Sequence, residues 1–163
     1  MAKLKDRLLL NVALFQPEIA QNMGTILRLC ACFGVPLHVI RPCGFPFSSK
    51  ALKRAAMDYQ EFGVLKTYAN FKKYFEESSR KMESTRLILL TTKVKNSLWT
   101  FNFHENDHIL LGNESSGVPS FVAEQADARI CIPMLGGGRS LNVAVSAGIA
   151  LGEASRQLMT QPK

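Results

Sequence analysis

The sequence predicts an α/β domain with a mainly parallel sheet and helices on both faces. Three observations lead there. Short apolar runs alternate with helical patterns along the chain. The runs are apolar almost throughout, as strands buried on both faces require. The 163 residues are 47% hydrophobic and show neither an internal repeat nor a linker, which is enough chain for one domain with an ordinary core and too little for two.

The elements follow in order. "RLLLNVALF" is the first strand; its run from Leu8 to Phe15 is interrupted by Asn11 and falls far short of the roughly 18 residues that span a bilayer. The basic "MAKLKDR" ahead of it contains Asp6 and precedes no small-x-small cleavage site, so no secretory leader is expected. Gln21 to Phe33 is a helix whose apolar side is Ile19, Met23, Ile26, Leu27, Cys30 and Phe33, with Gln21, Thr25 and Arg28 on the other side. "PLHVIR" is a strand. Ser49 to Tyr59 is an amphipathic helix with Lys50, Lys53 and Arg54 opposite Leu52, Ala56 and Tyr59. "GVLKTY", a helix over Asn70 to Met82, "RLILLTT", "HILLG", a short helix after Pro119, "ARICIPM" and the final helix complete the alternation. Ser140 stands where an N-cap for that last helix is expected. Its small residues Val143, Ala144, Ala147, Gly148, Ala150, Leu151 and Ala154 allow close helix approach on more than one face.

Lys and Arg number 20 against 13 acidic residues, a net charge of +7, which favours a polyanionic partner. The four cysteines, Cys30, Cys32, Cys43 and Cys131, lack zinc-site spacing and are expected as buried free thiols in a cytoplasmic protein.

In a parallel sheet ligands bind beyond the carboxyl ends of the strands. The loops to inspect are therefore those after "LLTT", "LLGN" and "CIPM". Thr91, Thr92 and Lys93 follow the first; Gly112, Asn113, Glu114 and Gly117 the second; Gly136, Gly137 and Gly138 the third. The triple glycine is neither a Walker loop, since Gly138 is followed by Arg139, nor a dinucleotide fingerprint, since Leu141 replaces the last glycine.

"QNMGTILRLC", "LLGNESSGVP" and "IPMLGGGRSLNVAVSAGIALGEASRQL" resemble the three ordered motifs of the SPOUT superfamily of RNA methyltransferases, in the branch that methylates ribose 2′-hydroxyls. With "GFPFSSKALKRAAMDYQEF" and "LTTK", the resemblance spans nearly the whole chain. It is greatest to the short members that act on the wobble nucleotide, cytidine or uridine 34, of tRNA. Relatives acting elsewhere on tRNA or on rRNA usually carry a further domain, so a single domain over 1–163, with no additional RNA-binding domain, is expected.

The resemblance implies a C-terminal deep trefoil knot that general topology rules would not suggest. It also implies S-adenosylmethionine as the methyl donor, S-adenosylhomocysteine as the product, no metal, and a homodimer. Leu90, Thr91, Thr92, Gly112, Asn113, Glu114, Gly117, Ile132, Met134, Ser140 and Leu141 are the implied cofactor residues, with the triple glycine folding its loop tightly around the cofactor. Asn22, Arg28, Glu114, Ser140 and Asn142 are the implied active-site set, Glu114 either fixing Asn142 or balancing the sulfonium charge. An arginine side chain stays protonated and is a poor base. Arg28 is therefore read as binding the target phosphate and polarising the 2′-hydroxyl, with Gly24 leaving room beside it and the proton acceptor left open. Lys50, Lys53, Arg54 and Lys93 read as contacts to RNA phosphates. Trp99 either packs, the commoner role, or stacks on a flipped-out base. Methylation of another tRNA or rRNA nucleotide, and a catalytically silent RNA-binding protein on the same fold, are the alternatives.

Overall fold

The computed structural model describes residues 8–47, 65–79 and 84–160. In chain order its elements are β1 (Asn11–Phe15), α1 (Ala20–Phe33), β2 (Leu37–Ile40), β3 (Leu65–Tyr68), α2 (Phe71–Tyr74), β4 (Leu87–Leu90), β5 (His108–Leu111), α3 (Ser120–Ala123), β6 (Ala128–Ile130) and α4 (Val143–Thr160). Among the described residues the strands form one sheet in the order β3-β2-β1-β5-β4-β6. Every pairing is parallel, with Val12 opposite Leu37 and Ile109, and Leu90 opposite Leu111 and Ile130.

Side chains alternate across a strand, so each central strand fills two cores. Val12, Leu14, Leu37, Val39, Ile88, Ile109 and Leu111 pack under α1 and α4 with Met23, Ile26, Leu27, Ala147, Ala150 and Leu151. Ala13, Phe15, Ile40, Leu87, Leu89 and Leu110 pack on the opposite face with Phe71, Tyr74 and Val122 of α2 and α3. This two-sided burial is why the strands read as continuous apolar runs.

Several local expectations are corrected. Ile19 and Phe33 are exposed at the two ends of α1. The helix stops at Gly34, which takes the left-handed φ of 67° and returns its N–H to Ala31 and Cys30. The helix expected from Asn70 is α-helical only through Tyr74, capped by the Asn70 side chain on the Lys73 N–H, and continues as a π-helical turn to Ser79. Among the cysteines Cys30 is buried, and burial pushes its thiol up to about 12; Cys32 is exposed and Cys43 and Cys131 are half-buried.

Near the amino ends of the strands, on the α2 face, lies a buried polar cluster. His38 Nε2 meets Asn11 Oδ1 at 3.1 Å and its Nδ1 meets the Tyr68 hydroxyl at 3.0 Å, while the Tyr74 hydroxyl meets His108 Nδ1 at 2.8 Å. With the Asn11 carbonyl accepting from Nε2–H, Nδ1 is left as the acceptor and the ring is neutral. Burial first, and the nearby positive groups second, push His38 down to about 3 and His108 down to about 4. Asn11, which breaks the apolar run in the sequence, is the first residue of β1 and a partner in this cluster.

Candidate functional site

All the strands are parallel, so their carboxyl ends share one edge of the sheet. The loops leaving β4, β5 and β6 meet there around a cleft of ≈ 490 Å³, a size suited to a cofactor-sized ligand. Its apolar lining includes Leu89, Leu90, Leu111, Ile132, Met134 and Leu141; its polar lining comes from residues 91–93 and 112–117, from Arg139, Ser140 and Asn142, and from Asn22. Every residue implied for the cofactor lines this one cleft, although the three loops are far apart in the chain.

The β5 loop closes on itself. Asn113 and Gly117 exchange backbone hydrogen bonds of 3.0 and 3.1 Å. A Cβ on Gly112 would stand 2.5 Å from the Gly117 backbone, and Gly117 itself has φ +70°, so this turn demands glycine at both positions. The triple glycine behaves differently. A Cβ on Gly136, Gly137 or Gly138 would meet nothing within 4 Å, and none of the three has a left-handed φ. The backbone of that loop turns tightly, Gly138 N–H donating to Gly136 O at 2.8 Å, but the packing that excludes a side chain lies at residues 112–117.

Glu114 holds the site together. No side chain of its own caps α1, and the chain enters the helix through Glu18 and the N-cap Ile19, whose N–H groups point away from the helix and need an outside acceptor. Glu114 provides it from the β5 loop, accepting from Glu18 N at 2.7 Å and Ile19 N at 3.1 Å. The negative charge also complements the positive end of the helix. Glu18 reciprocates, its carboxylate accepting from Ser115 N at 2.9 Å and Ser115 Oγ at 2.7 Å. The two carboxylates thus clasp α1 to the cleft wall.

The clasp orients two amides in series. A carboxylate only accepts, so Asn22 must turn its Nδ2 to Glu114, at 3.1 Å. Its Oδ1 then faces the other way and accepts from Asn142 Nδ2 at 3.0 Å. That leaves the Asn142 Oδ1 to accept from Ala144 N at 2.8 Å and Val145 N at 3.3 Å, which caps α4. Asn142, and not Ser140, is therefore the N-cap of the last helix; Ser140 stays two residues upstream on the cleft wall. Glu114 is thus linked to Asn142 through Asn22 by a continuous series of hydrogen bonds.

Of the implied active-site set, Asn22, Glu114, Ser140 and Asn142 come together at the cleft. Arg28 lies farther along α1, exposed, and is not among the residues lining the cleft; Gly24, one turn before it, is buried. Lys93 is on the rim. Trp99 is 54% exposed on a 3₁₀ turn over Leu98–Thr100, so it does not take the packing role. Lys50, Lys53 and Arg54 lie outside the described residues. Sequence reading missed Glu18 and Ser115; the available signal was an acidic residue directly before a helix whose start lacks Ser, Thr, Asp or Asn.

The chain matches the model of the SpoU rRNA Methylase family over residues 9–152. It is 48% identical over 148 residues to a tRNA (cytidine(34)-2'-O)-methyltransferase of Ancylobacter novellus, covering 91% of this chain and 92% of that one. A solved structure described as giving structural insights into the 2-OH methylation of C/U34 on tRNA is similar with a TM-score of 0.85 and 41% identity, over 93% of this chain and 97% of that one. An AdoMet-bound rRNA methyltransferase from Sinorhizobium meliloti is similar with a TM-score of 0.80 and 27% identity, over 91% of this chain and 56% of that one.

Proposed function

Because this chain belongs to the SpoU rRNA Methylase family, we propose that it methylates the ribose 2′-hydroxyl of the wobble nucleotide, cytidine or uridine 34, of tRNA, using S-adenosylmethionine. The observation that carries this reading is the convergence of the three motif loops on one cleft, in a chain matching the cytidine-34 relative along nearly its full length. The fit to the cofactor rests on the cleft itself: an apolar lining for an adenine, a glycine turn closed at Gly112 and Gly117, and a polar rim at Arg139, Ser140 and Asn142.

Bound there, S-adenosylmethionine supplies an electrophilic methyl group on a sulfonium. The work of the chain is alignment, which is where most of the rate gain in an in-line displacement resides. Asn142 and Ser140 border the reacting end of the cleft, Asn142 held in one orientation by the Glu114–Asn22 series. Arg28 binds the phosphate of the target and polarises its 2′-hydroxyl from the outer part of α1.

The proposal includes a C-terminal trefoil knot. Residues 96–103 are laid against both the end of β6, through Leu98 N to Cys131 O at 2.8 Å and Cys131 N to Asn96 O at 2.8 Å, and the far end of α4, through Gln157 to Phe101 O and Phe103 N at 2.9 Å each. These contacts support a C-terminal segment threaded past the β4 loop. It also includes a homodimer built on α4, where Val145 and Met159 are exposed and Gly152 between them has open space at its Cβ position. We place the protein in the cytoplasm with its tRNA, on a single domain that binds both cofactor and RNA; no described helix is long and apolar enough to cross a membrane.

Nucleoside mass spectrometry with position mapping, on tRNA from cells with and without this protein, tests the reading. Loss of the 2′-O-methyl group at position 34 supports it. Loss at another nucleotide or in rRNA gives the sister activity, and no loss anywhere gives the silent RNA-binding protein.

A further inference from the structure

Three of the residues lining the cleft carry a charge: Lys93, Glu114 and Arg139. Glu114 is consumed by three hydrogen bonds, from Glu18 N and Ile19 N at the entry to α1 and from Asn22 Nδ2. Lys93 and Arg139 are exposed, stand on different walls of the cleft, and have no acidic partner among the described residues. The cleft therefore presents two uncompensated cations at its rim, while its apolar lining comes from strand ends and the loops that follow them.

We propose that Arg139 is a substrate-positioning residue that binds the RNA phosphate on the 3′ side of the target ribose, with Lys93 as the second cation across the mouth. This inference rests on the function proposed above. The chemistry of the substrate sets the position. The 2′-hydroxyl and the 3′-phosphate leave adjacent carbons of the ribose, so a hydroxyl brought to the cleft carries that phosphate to its rim. A guanidinium there makes a two-pronged contact with phosphate and fixes the rotation of the sugar as well as its position. The loop that carries Arg139 suits this role. Nothing in the present packing requires glycine at residues 136–138, and the neighbouring Leu135 is fully exposed. Gly136, Gly137 and Gly138 leave the loop backbone free to reshape as RNA arrives, carrying Arg139 onto the phosphate.

The test uses full-length Arg139→Ala and Arg139→Lys with unmodified tRNA. S-adenosylmethionine affinity is measured by calorimetry, tRNA affinity as a function of salt, and methyl transfer under steady state. The expected result for Arg139→Ala is a cofactor Kd within about twofold of the native value, a KM for tRNA raised about tenfold or more, and a log K against log [salt] slope shallower by about 0.7–0.9, the loss of one phosphate contact. Arg139→Lys retains the slope and recovers only part of the turnover. A tenfold loss of cofactor affinity with unchanged tRNA binding assigns Arg139 to the cofactor carboxylate and overturns the proposal. An unchanged salt slope together with an unchanged KM also overturns it, leaving a solvated arginine. The salt slope is read from binding alone, so it tests Arg139 even if the native protein methylates another nucleotide or none.

Discussion

Replacing Glu114 by Gln tests the central argument about the site, since it removes one charge and one acceptor without changing shape. The carboxylate accepts from Glu18 N, Ile19 N and Asn22 Nδ2 at 2.7, 3.1 and 3.1 Å. Gln keeps one oxygen. Placed at the Oε1 position, that oxygen still serves Ile19 and Asn22, but its NH₂ then faces the Glu18 N–H, donor against donor. A donor left without an acceptor costs about 1–3 kcal/mol. Loss of the anion at the helix start adds about 0.3–1 kcal/mol, because Glu114 is only half-buried and water screens it. The expected loss is thus about 1.3–4 kcal/mol, a fall of roughly 3–16 °C in Tm for a chain of this size at fixed protein concentration. In the opposite rotamer the Gln oxygen serves Glu18 and its NH₂ stands at the Oε1 position; Ile19 N–H and Asn22 Nδ2 then lose their acceptor, Asn22 turns its oxygen toward residue 114 instead of Asn142, and cofactor binding falls. One misdirected hydrogen bond of about 1.4 kcal/mol corresponds to about tenfold in Kd. Thermal and urea denaturation, with calorimetry on S-adenosylmethionine, measure both quantities. A Glu114→Gln protein within 0.5 kcal/mol of the native stability, a threshold set at the usual scatter of surface substitutions, and binding cofactor normally, refutes the clasp.

Three further outcomes follow from the same structure. Arg28→Ala keeps fold and cofactor affinity and lowers methyl transfer about a hundredfold or more, as loss of a charge-assisted contact aligning the nucleophile implies; a native rate in a single-turnover assay removes the assignment. Gly112→Ala drives a Cβ to 2.5 Å from the Gly117 backbone, so it weakens cofactor binding and costs about 1–3 kcal/mol, whereas Gly137→Ala meets nothing within 4 Å and is neutral or stabilising by up to about 1 kcal/mol; denaturant midpoints that rank the pair the other way contradict the loop description. His38 and His108 are held neutral, near 3 and near 4 against an unfolded value near 6.5, so the unfolded chain binds more protons as pH falls. Stability is full above about pH 6.5 and declines by up to about 1.4 kcal/mol per pH unit for each histidine between pH 6.5 and about 4. Urea midpoints from pH 7.5 to 4.5 should show this decline, and replacing His38 with Gln should roughly halve its slope.

The sheet was legible because its strands are buried on both faces and so stand out as apolar runs between helical patterns. The cleft walls were legible for a second reason: ligands of parallel sheets collect at the carboxyl ends of strands, and the resemblance selected three such loops. What escaped was set by contacts distant in sequence. Glu18 reads as an ordinary acid before a helix until Ser115, 97 residues on, donates to it. The N-cap moved from Ser140 to Asn142 because Asn22, on another helix, holds the Asn142 amide in the capping orientation. Cys32 lies outside the core because the helix exposes that face, and Asn11 could not be told from a defect in a strand without His38 beside it.

The hydrogen bonds also tie the cofactor side of the site to the RNA side. α1 begins at the cleft, where Glu114 grips the N–H groups of Glu18 and Ile19 just before the helix and Asn22 sits on its first turn, and it carries Arg28 six residues beyond Asn22. At 1.5 Å of rise per residue that is about 9 Å along a rigid rod. A ligand that tightens the β5 loop around itself therefore fixes the helix that bears Arg28, while the Asn22–Asn142 contact fixes the start of α4 and the end of the loop that bears Arg139. Two of the cations assigned to the RNA, Arg28 and Arg139, thus lie on segments tied to the same two amides. Asn22→Ala should lower tRNA affinity as well as cofactor affinity, and saturating S-adenosylmethionine should tighten tRNA binding to the native protein by a factor that shrinks in this variant. Titrating tRNA with and without cofactor measures that factor. An equal factor in native protein and Asn22→Ala would show that the two halves of the site act independently and that the amide series serves only to cap α4.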